Sequence, residues 1–166
     1  GPIELVVGFQ KDTGSMSPFG PLLPSVKAKS LMLYETLFWT DLDGNLQPLL
    51  AKSFTTDGNG QYSIEIFDNI YDSKGNHMTA ADIINTLKIY IEDGSNPSTL
   101  ATIKDYKQTG DYTLDITFSP ESPGQFINLV SNMNCVTKAS WESVDDKMSA
   151  NPIGTGGYVL VPEECI

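Results

Sequence analysis

Met78-Thr79-Ala80-Ala81-Asp82-Ile83-Ile84-Asn85-Thr86-Leu87-Lys88-Ile89-Tyr90-Ile91 is the stretch on which the fold turns. Thr79 and Asp82 fit a capping box with Asp in place of Glu or Gln. The Thr79 hydroxyl can accept from the Asp82 amide while the Asp82 carboxylate reaches back to the Thr79 N–H. Met78 and Ile83 stand at the two positions of a hydrophobic staple. Ile83, Ile84, Leu87, Tyr90 and Ile91 continue a helical period, and Asp93-Gly94 places Gly where a left-handed cap ends a helix. The apolar stripe of such a helix must be buried against something, and the flanking sequence supplies strands.

Upstream, Tyr62, Ile64 and Ile66 alternate with Ser63, Glu65 and Phe67 after the turn Asp57-Gly58-Asn59-Gly60, the pattern of a half-buried strand. Asn69 to Asn76 is expected to hold another short strand and the turn Lys74-Gly75-Asn76. Downstream, Tyr112, Leu114, Ile116 and Phe118 alternate with Thr113, Asp115 and Thr117, and pair with Thr102 to Gln108 across Gly110-Asp111. Gln125 to Met133 reads as a short helix, Trp141 to Met148 as a weaker helical turn, and Tyr158 to Val161 as a final strand. Toward the N-terminus, Asp41-Leu42-Asp43-Gly44-Asn45 marks a hairpin or tight connection. As a calcium loop it fails, because Leu46 and Lys52 stand where Gly and Glu are needed. Ser25 to Leu37 has apolar residues near helical period, with Lys27 and Lys29 outside, and Glu4 to Phe9 suits a strand buried on both faces. Between them, Thr13 to Ser25 is a loop rich in Gly, Ser and Pro. Its large side chains, Met16, Phe19, Leu22 and Leu23, either pack on the core or face a ligand cleft. Strands interleaved with helices predict a mixed α/β or α+β architecture.

The 166 residues, 40% hydrophobic and 10% aromatic, suffice for one domain with a sizeable core. Ten basic against 21 acidic residues leave a net charge of -11, which repels phosphate backbones and anionic lipid surfaces. Neither nucleic acid nor a membrane surface is an expected partner. No apolar run approaches the length that spans a bilayer, and Gly1-Pro2 reads as the scar of a removed tag, so any signal peptide is expected to have been cleaved away. Cys135 and Cys165 could form one disulfide in an oxidising compartment, or stand as a buried thiol and an incidental one.

Catalytic chemistry finds little support. His77, the only histidine, stands in a polar turn before the helix cap, where a solvated surface role outweighs that of a general base or metal ligand. No G-x-S-x-G surrounds any serine. Gly154-Thr155-Gly156-Gly157 lacks the Lys and Ser/Thr of a phosphate-binding loop. No enzyme and no cofactor is expected.

Four segments, in order, carry a family resemblance. Tyr34-Glu35-Thr36-Leu37 resembles a "Y/F-E-G-L" segment, and Gln47-Pro48-Leu49-Leu50-Ala51-Lys52-Ser53-Phe54 a "P-x-L-A-x-S-W" motif. Tyr71 to Ile83 is similar to "F-x-D-G-x-P-h-T-A-x-D-V", and Asn151-Pro152-Ile153-Gly154-Thr155-Gly156-Gly157-Tyr158 to "N-P-I/V-G-T-G-P-Y". Together they resemble the extracytoplasmic solute-binding proteins of ABC importers of the oligopeptide, dipeptide and nickel type. Thr36, Phe54 and Gly157 depart from the usual Gly, Trp and Pro. The resemblance implies a periplasmic-binding-protein-like lobe, a mixed sheet flanked by helices, incomplete relative to family members of roughly three times this length. Residues 1–166 are then expected to comprise the start of lobe I and an inserted small subdomain, with a return to lobe I near 151–161. It also implies capture of a small solute, a peptide first and a nickel complex second, in the periplasm or on the outer face of the bacterial membrane. ABC permease subunits would be the partners, and the membrane would be met only through a removed signal or a lipid anchor. The ligand-facing residues it implies lie on the loop from Pro18 to Ser25: Phe19, Leu22, Leu23 and Pro24. A stand-alone extracytoplasmic interaction module using the same loop is the alternative, and a secreted hydrolase dependent on His77 a more distant one.

Overall fold

The structure is a computed structural model that describes residues 15–19, 24–93 and 97–160, with 24–27 described by backbone alone. The expected strand at 4–9 and the expected cap at Gly94 lie outside the described residues. In chain order the elements are α1 (Pro24–Leu33), β1 (Phe38–Thr40), β2 (Leu46–Pro48), β3 (Ala51–Thr56), β4 (Gln61–Ile66), α2 (Ala80–Asp93), α3 (Pro97–Leu100), β5 (Ile103–Gly110), β6 (Thr113–Phe118), α4 (Gln125–Asn132) and α5 (Lys138–Glu142).

Strands β1 and β2 form a hairpin, and the other four build an antiparallel sheet in the order β3-β4-β6-β5. Ile64 stands opposite Leu114 and Tyr62 opposite Ile116. The period of two therefore gathers Ile64, Ile66, Leu114, Ile116 and Phe118 on one buried face. On the other face Ser63, opposite Asp115, donates to its carboxylate at 2.7 Å, and Lys52 pairs with Glu65 at 2.7 Å. Helix α2 covers the apolar face with Ala80, Ile83, Thr86, Leu87 and Tyr90, one stripe at helical spacing. Phe126 of α4 closes one end of this core, stacked on Tyr62 with centroids 3.8 Å apart and tilted against Phe54.

The start of α2 departs from the expected box in one detail. The Thr79 N–H does donate to the Asp82 carboxylate, at 2.8 Å. The Asp82 amide, however, goes to the Thr79 carbonyl, and the Thr79 hydroxyl donates to the carboxylate instead of accepting from the amide. An ionised carboxylate has no proton to give and takes the hydroxyl as a second donor. Its other oxygen accepts the Lys138 N–H at 2.8 Å, so one side chain ties the first turn of α2 to the first turn of α5.

Loop tips repeat a single device. Asp41, Asp57 and Asp72 each accept, through one carboxylate oxygen, the backbone N–H groups two and four residues on. Asp72 goes further, since it is only 6% exposed. Its second oxygen takes the hydroxyls of Thr137 and Ser140, both at 2.6 Å, which pins the 72–76 turn to the start of α5. Burial alone would raise its carboxyl pKa, but the hydrogen bonds from Ser140, Thr137 and Asn76 outweigh it and hold the group below the usual carboxylate range.

Several sequence expectations need correction. The first helix ends at Leu33 rather than Leu37, because Glu35 leaves it to pair with Cys135 as an isolated bridge. Its faces are also turned: Lys29 is buried at 8% exposure, and Leu31 is exposed at 68%. Leu33 and Tyr34 are the residues packed inward there, and they set the helix's rotation. Segment 69–76 is not a strand: among the described residues it forms the isolated bridge Tyr71 to His77, and the Ser73 N–H donates to the Gly154 carbonyl at 3.0 Å. The helix expected at 141–148 instead begins after Thr137, whose hydroxyl caps it by accepting the Ser140 N–H. Lys147 and Met148 adopt positive φ, 54° and 60°, which a helix does not allow. Residues 158–160 are irregular: Tyr158 donates its N–H to the Met32 carbonyl at the end of α1, and among the described residues the segment meets no strand. Strand β3 was visible in the sequence only as part of a motif.

Candidate functional site

The segment singled out by sequence, 18–25, begins where several parts of the fold converge. Residues 15–19 lie without regular structure against the return segment 146–151, the end of α1 and the connection between α4 and α5. The Met16 N–H donates to the Ser149 carbonyl at 2.8 Å, and the Tyr34 hydroxyl donates to the Met16 carbonyl at 2.9 Å. The Asn134 amide donates to the Pro18 carbonyl at 3.1 Å. Phe19, 6% exposed, sets its ring edge-on to Trp141, centroids 5.3 Å apart, and tilted toward Tyr90. Of the two roles open to the large side chains of this loop, Phe19 therefore takes the core. Leu22 and Leu23 lie outside the described residues, and Pro24 opens α1.

Tyr34 is nearly fully buried, and its hydroxyl also lies 3.8 Å from the Met148 sulfur. Burial first, and then the charge of Asp146, push its pKa far above the ordinary phenol range, so it stays a neutral donor. Met148 is delivered to this contact by the left-handed pair Lys147-Met148. The Asp146 carboxylate holds that turn by collecting the N–H groups of Met148, Ala150 and Asn151 and the Asn151 side chain. Those backbone donors and the Asn151 amide lower the Asp146 pKa despite a smaller opposing contribution from burial.

A groove of about 430 Å³ runs along the other side of this junction, between the end of α1, β1 and the end of α4. Leu31, Trp39 and Leu49 give it apolar walls, and Glu35 and Asn132 are among its polar ones. Trp39 is 48% exposed although its neighbour Phe38 is buried, as the alternation of a strand requires. Polar and apolar groups line it in similar measure. Sequence reading missed it, because Leu31 was placed on the inner face and the outward position of Trp39 in a three-residue strand was not used.

The loop Gly154-Thr155-Gly156-Gly157 closes the floor. The Gly156 N–H donates to the Leu33 carbonyl at 3.0 Å, so with Tyr158 it satisfies carbonyls that the end of α1 leaves open. A Cβ on Gly154 would overlap the Leu33 carbonyl oxygen, and one on Gly156 the Met32 carbonyl oxygen, whereas one on Gly157 meets nothing. Glycine is needed at the first two for close approach, and the third tolerates change. The Gly156 N–H, spent on the negative end of a helix, is not available to a phosphate.

His77 is exposed, stacked on Tyr71 at 4.7 Å, with Nε2 2.7 Å from the Asp68 carbonyl oxygen. Among the described residues no three His, Cys, Asp or Glu side chains are grouped to hold a metal ion. Cys135 is fully buried, and burial first, then the charge of Glu35, raise its thiol pKa well above the ordinary value. Cys165 lies outside the described residues. Among those residues no helix is long and apolar enough to cross a membrane.

Similarity to known proteins is concentrated in one family. No curated protein sequence matches the chain. Among solved structures, the fold is similar to the oligopeptide-binding protein AppA from Bacillus subtilis, in complex with a nonapeptide, with TM-score 0.74 and 22% identity over 84% of this chain and 30% of that one. It is similar to the periplasmic binding protein DppA from Helicobacter pylori, in complex with the peptide STSA, with TM-score 0.78 and 17% identity over 90% and 35%. NikA from Brucella suis, in complex with Fe(III)-EDTA, gives TM-score 0.65 and 20% identity over 78% and 28%. The chain thus spans about a third of the length of these structures. The family described as "Bacterial extracellular solute-binding proteins, family 5 Middle" matches residues 45–162, which hold the sheet, α2 and the glycine loop, and the chain belongs to that family.

Proposed function

We propose that this chain is part of the substrate-binding component of an ABC importer, which captures a peptide or similar small solute outside the cytoplasmic membrane and presents it to the permease. The family match over 45–162 is the observation that carries the reading. The fold likeness to structures solved with peptides favours peptide as the solute class. On this reading the small subdomain is 38–146, and α1 together with the loop at 154–158 belongs to the lobe that meets ligand. Its support is the way Gly156 and Tyr158 bond to α1 rather than to any strand of the sheet. Leu22, Leu23 and Pro24 then contribute apolar and backbone contacts to one wall of the cleft, and Phe19 anchors the base of that wall. Transport follows from closure: solute bound on one wall biases the two-lobed protein toward the closed form, and the permease reads that form. The role read here is binding without turnover; His77, the residue a hydrolase would have to use, stacks on Tyr71 and faces the Asp68 carbonyl oxygen.

Calorimetric titration of the full gene product with pools of unblocked tri- to pentapeptides, and separately with Ni²⁺, tests the assignment. Saturable heat with the peptide pool is expected. Heat with Ni²⁺ alone would replace peptide by metal, and no heat with either would remove the reading.

A further inference from the structure

The groove between the end of α1, β1 and the end of α4 has most of its own donors already engaged. The Ser131 hydroxyl donates to the Ile127 carbonyl and the Thr36 hydroxyl to the Phe38 carbonyl, both at 2.6 Å. The Asn132 amide nitrogen donates to the Asn128 carbonyl and to the Asn128 side-chain oxygen, both at 2.9 Å. A backbone carbonyl can only accept, so the nitrogen must face it, and the Asn132 side-chain oxygen is left as an acceptor. The Tyr34 hydroxyl and the Gly156 N–H, two further donors of the lining, are held by the Met16 and Leu33 carbonyls. Of the side-chain donors there, the Trp39 indole N–H and the Thr40 hydroxyl have no partner among the described residues. Among the described residues that line the groove, Glu35 alone is charged, and its carboxylate meets neither a cation nor a hydrogen-bond donor among them. Helices α1 and α4 both end beside the groove, and neither carries a basic residue in its last turn to offset the negative end of its dipole. The half-exposed Trp39 ring adds the negative face of its π system, and the net charge of -11 draws cations from further away.

We propose that this groove is a binding site for a small organic cation, a guanidinium on a short apolar stem. The guanidinium stacks on the Trp39 ring and donates to the Glu35 carboxylate and the Asn132 oxygen, while Leu31 and Leu49 line the stem. Its five N–H donors in one plane complement a lining rich in acceptors beside an aromatic face. An anion is repelled by Glu35, and a saccharide calls for donors as well as acceptors. A metal ion needs several ligands, and among the described residues no three His, Cys, Asp or Glu side chains are grouped to supply them. At about 430 Å³ the groove holds one such cation and leaves no room for the residues that flank an arginine in a peptide, which marks a free solute as its source. The site is independent of the importer reading.

The test titrates butylguanidinium and its uncharged isostere butylurea into the full gene product by calorimetry. Saturable heat with butylguanidinium and none with butylurea is expected, with affinity falling as salt is raised. Glu35→Gln keeps the shape of the side chain and removes its charge, and Trp39→Leu keeps an apolar side chain and removes the π face. Each should weaken binding about tenfold. Neither side chain is buried, so both variants should melt within about 2 °C of the unaltered protein. Full-strength binding by both variants places the cation elsewhere and overturns the site. Should a variant misfold, the unaltered protein still decides: equal heat from butylurea and butylguanidinium, or none from either, overturns the proposal. A blocked Ala-Arg-Ala peptide is the third probe, and its binding in the absence of any binding of butylguanidinium overturns the small-solute source. The peptide pool that tests the importer reading is titrated separately, so failure of either reading leaves the other standing.

Discussion

Replacing Asp72 by Asn tests the joint between the 72–76 turn and α5 while keeping its shape. The Oδ1 side survives, because an amide oxygen can still accept the N–H groups of Lys74 and Asn76, both at 2.9 Å. The Oδ2 side does not. Two hydroxyls, from Thr137 and Ser140, donate to it at 2.6 Å, and an NH₂ in its place offers them a donor where they need an acceptor. Hydrogen bonds to a charged group contribute about 1.5–3 kcal/mol each, and the hydroxyls can rotate toward other acceptors, so the net cost should be about 2–4 kcal/mol. For a domain of this size that is a fall in melting temperature of roughly 5–15 °C, read by circular dichroism at pH 7. The pH dependence sharpens the test. Asp72 is held below its unfolded pKa, so its contribution is fully present above that pKa and is lost as pH falls through the folded value. A protonated carboxyl is a close mimic of the amide, so the gap between the two proteins should be full at pH 7 and should close below about pH 4, the ordinary Asp range. A gap smaller than about 1 °C at pH 7, or one that persists undiminished in acid, would refute the assignment of a stabilising charge at this joint.

The two tight glycines give a graded series. Gly154→Ala and Gly156→Ala should each cost about 1–3 kcal/mol in urea unfolding by forcing the loop off the end of α1, and Gly157→Ala should fall within about 0.5 kcal/mol of the unaltered chain. Equal losses at all three would show that backbone freedom rather than close approach matters. Asp82→Ala removes acceptors for both the Thr79 and Lys138 N–H groups and should cost about 1–2 kcal/mol, with part of the loss visible as faster amide exchange at Lys138, far in sequence from the substitution. Cys135 should resist a thiol reagent at pH 8 in a Cys165→Ser background and react only at the rate of unfolding.

What could be read from the sequence was whatever a local period or a local turn dictates. Ile64 and Ile66, and Leu114, Ile116 and Phe118, are two residues apart in sequence and share one buried face in the structure. The α2 stripe and its start at Thr79 are equally local. Failures came where a distant partner set the outcome. Helix α1 was predicted with its lysines outward, yet its rotation is fixed by Leu33 and Tyr34 packing inward and by the glycine loop beneath it, more than 120 residues away. Its end was misplaced because Glu35 is drawn into a bridge with Cys135, a pairing no window of adjacent residues contains. Segment 158–160 has the composition of a strand but pairs with none among the described residues, and Lys147-Met148 looks helical until Asp146 gathers the N–H groups around it.

The site shows the same division in the way departures from the resembling motifs are accommodated. Gly154 and Gly156 sit against carbonyl oxygens and leave no room for a side chain, while the departing residue Gly157 faces open space. Thr36, in place of the usual Gly, turns its hydroxyl onto the Phe38 carbonyl at 2.6 Å and so satisfies the polarity it introduces in a buried position. Phe54, in place of the usual Trp, keeps an aromatic partner for Phe38 and Phe126. Each departure is thus accommodated where it occurs, and each retained residue that was tested against its surroundings is held by a contact from far along the chain. Two of the four resembling segments, 34–37 and 151–158, meet at the end of α1. The segment that leads to the proposed cleft wall is anchored at that same junction, by the Tyr34 hydroxyl on the Met16 carbonyl and the Asn134 amide on the Pro18 carbonyl.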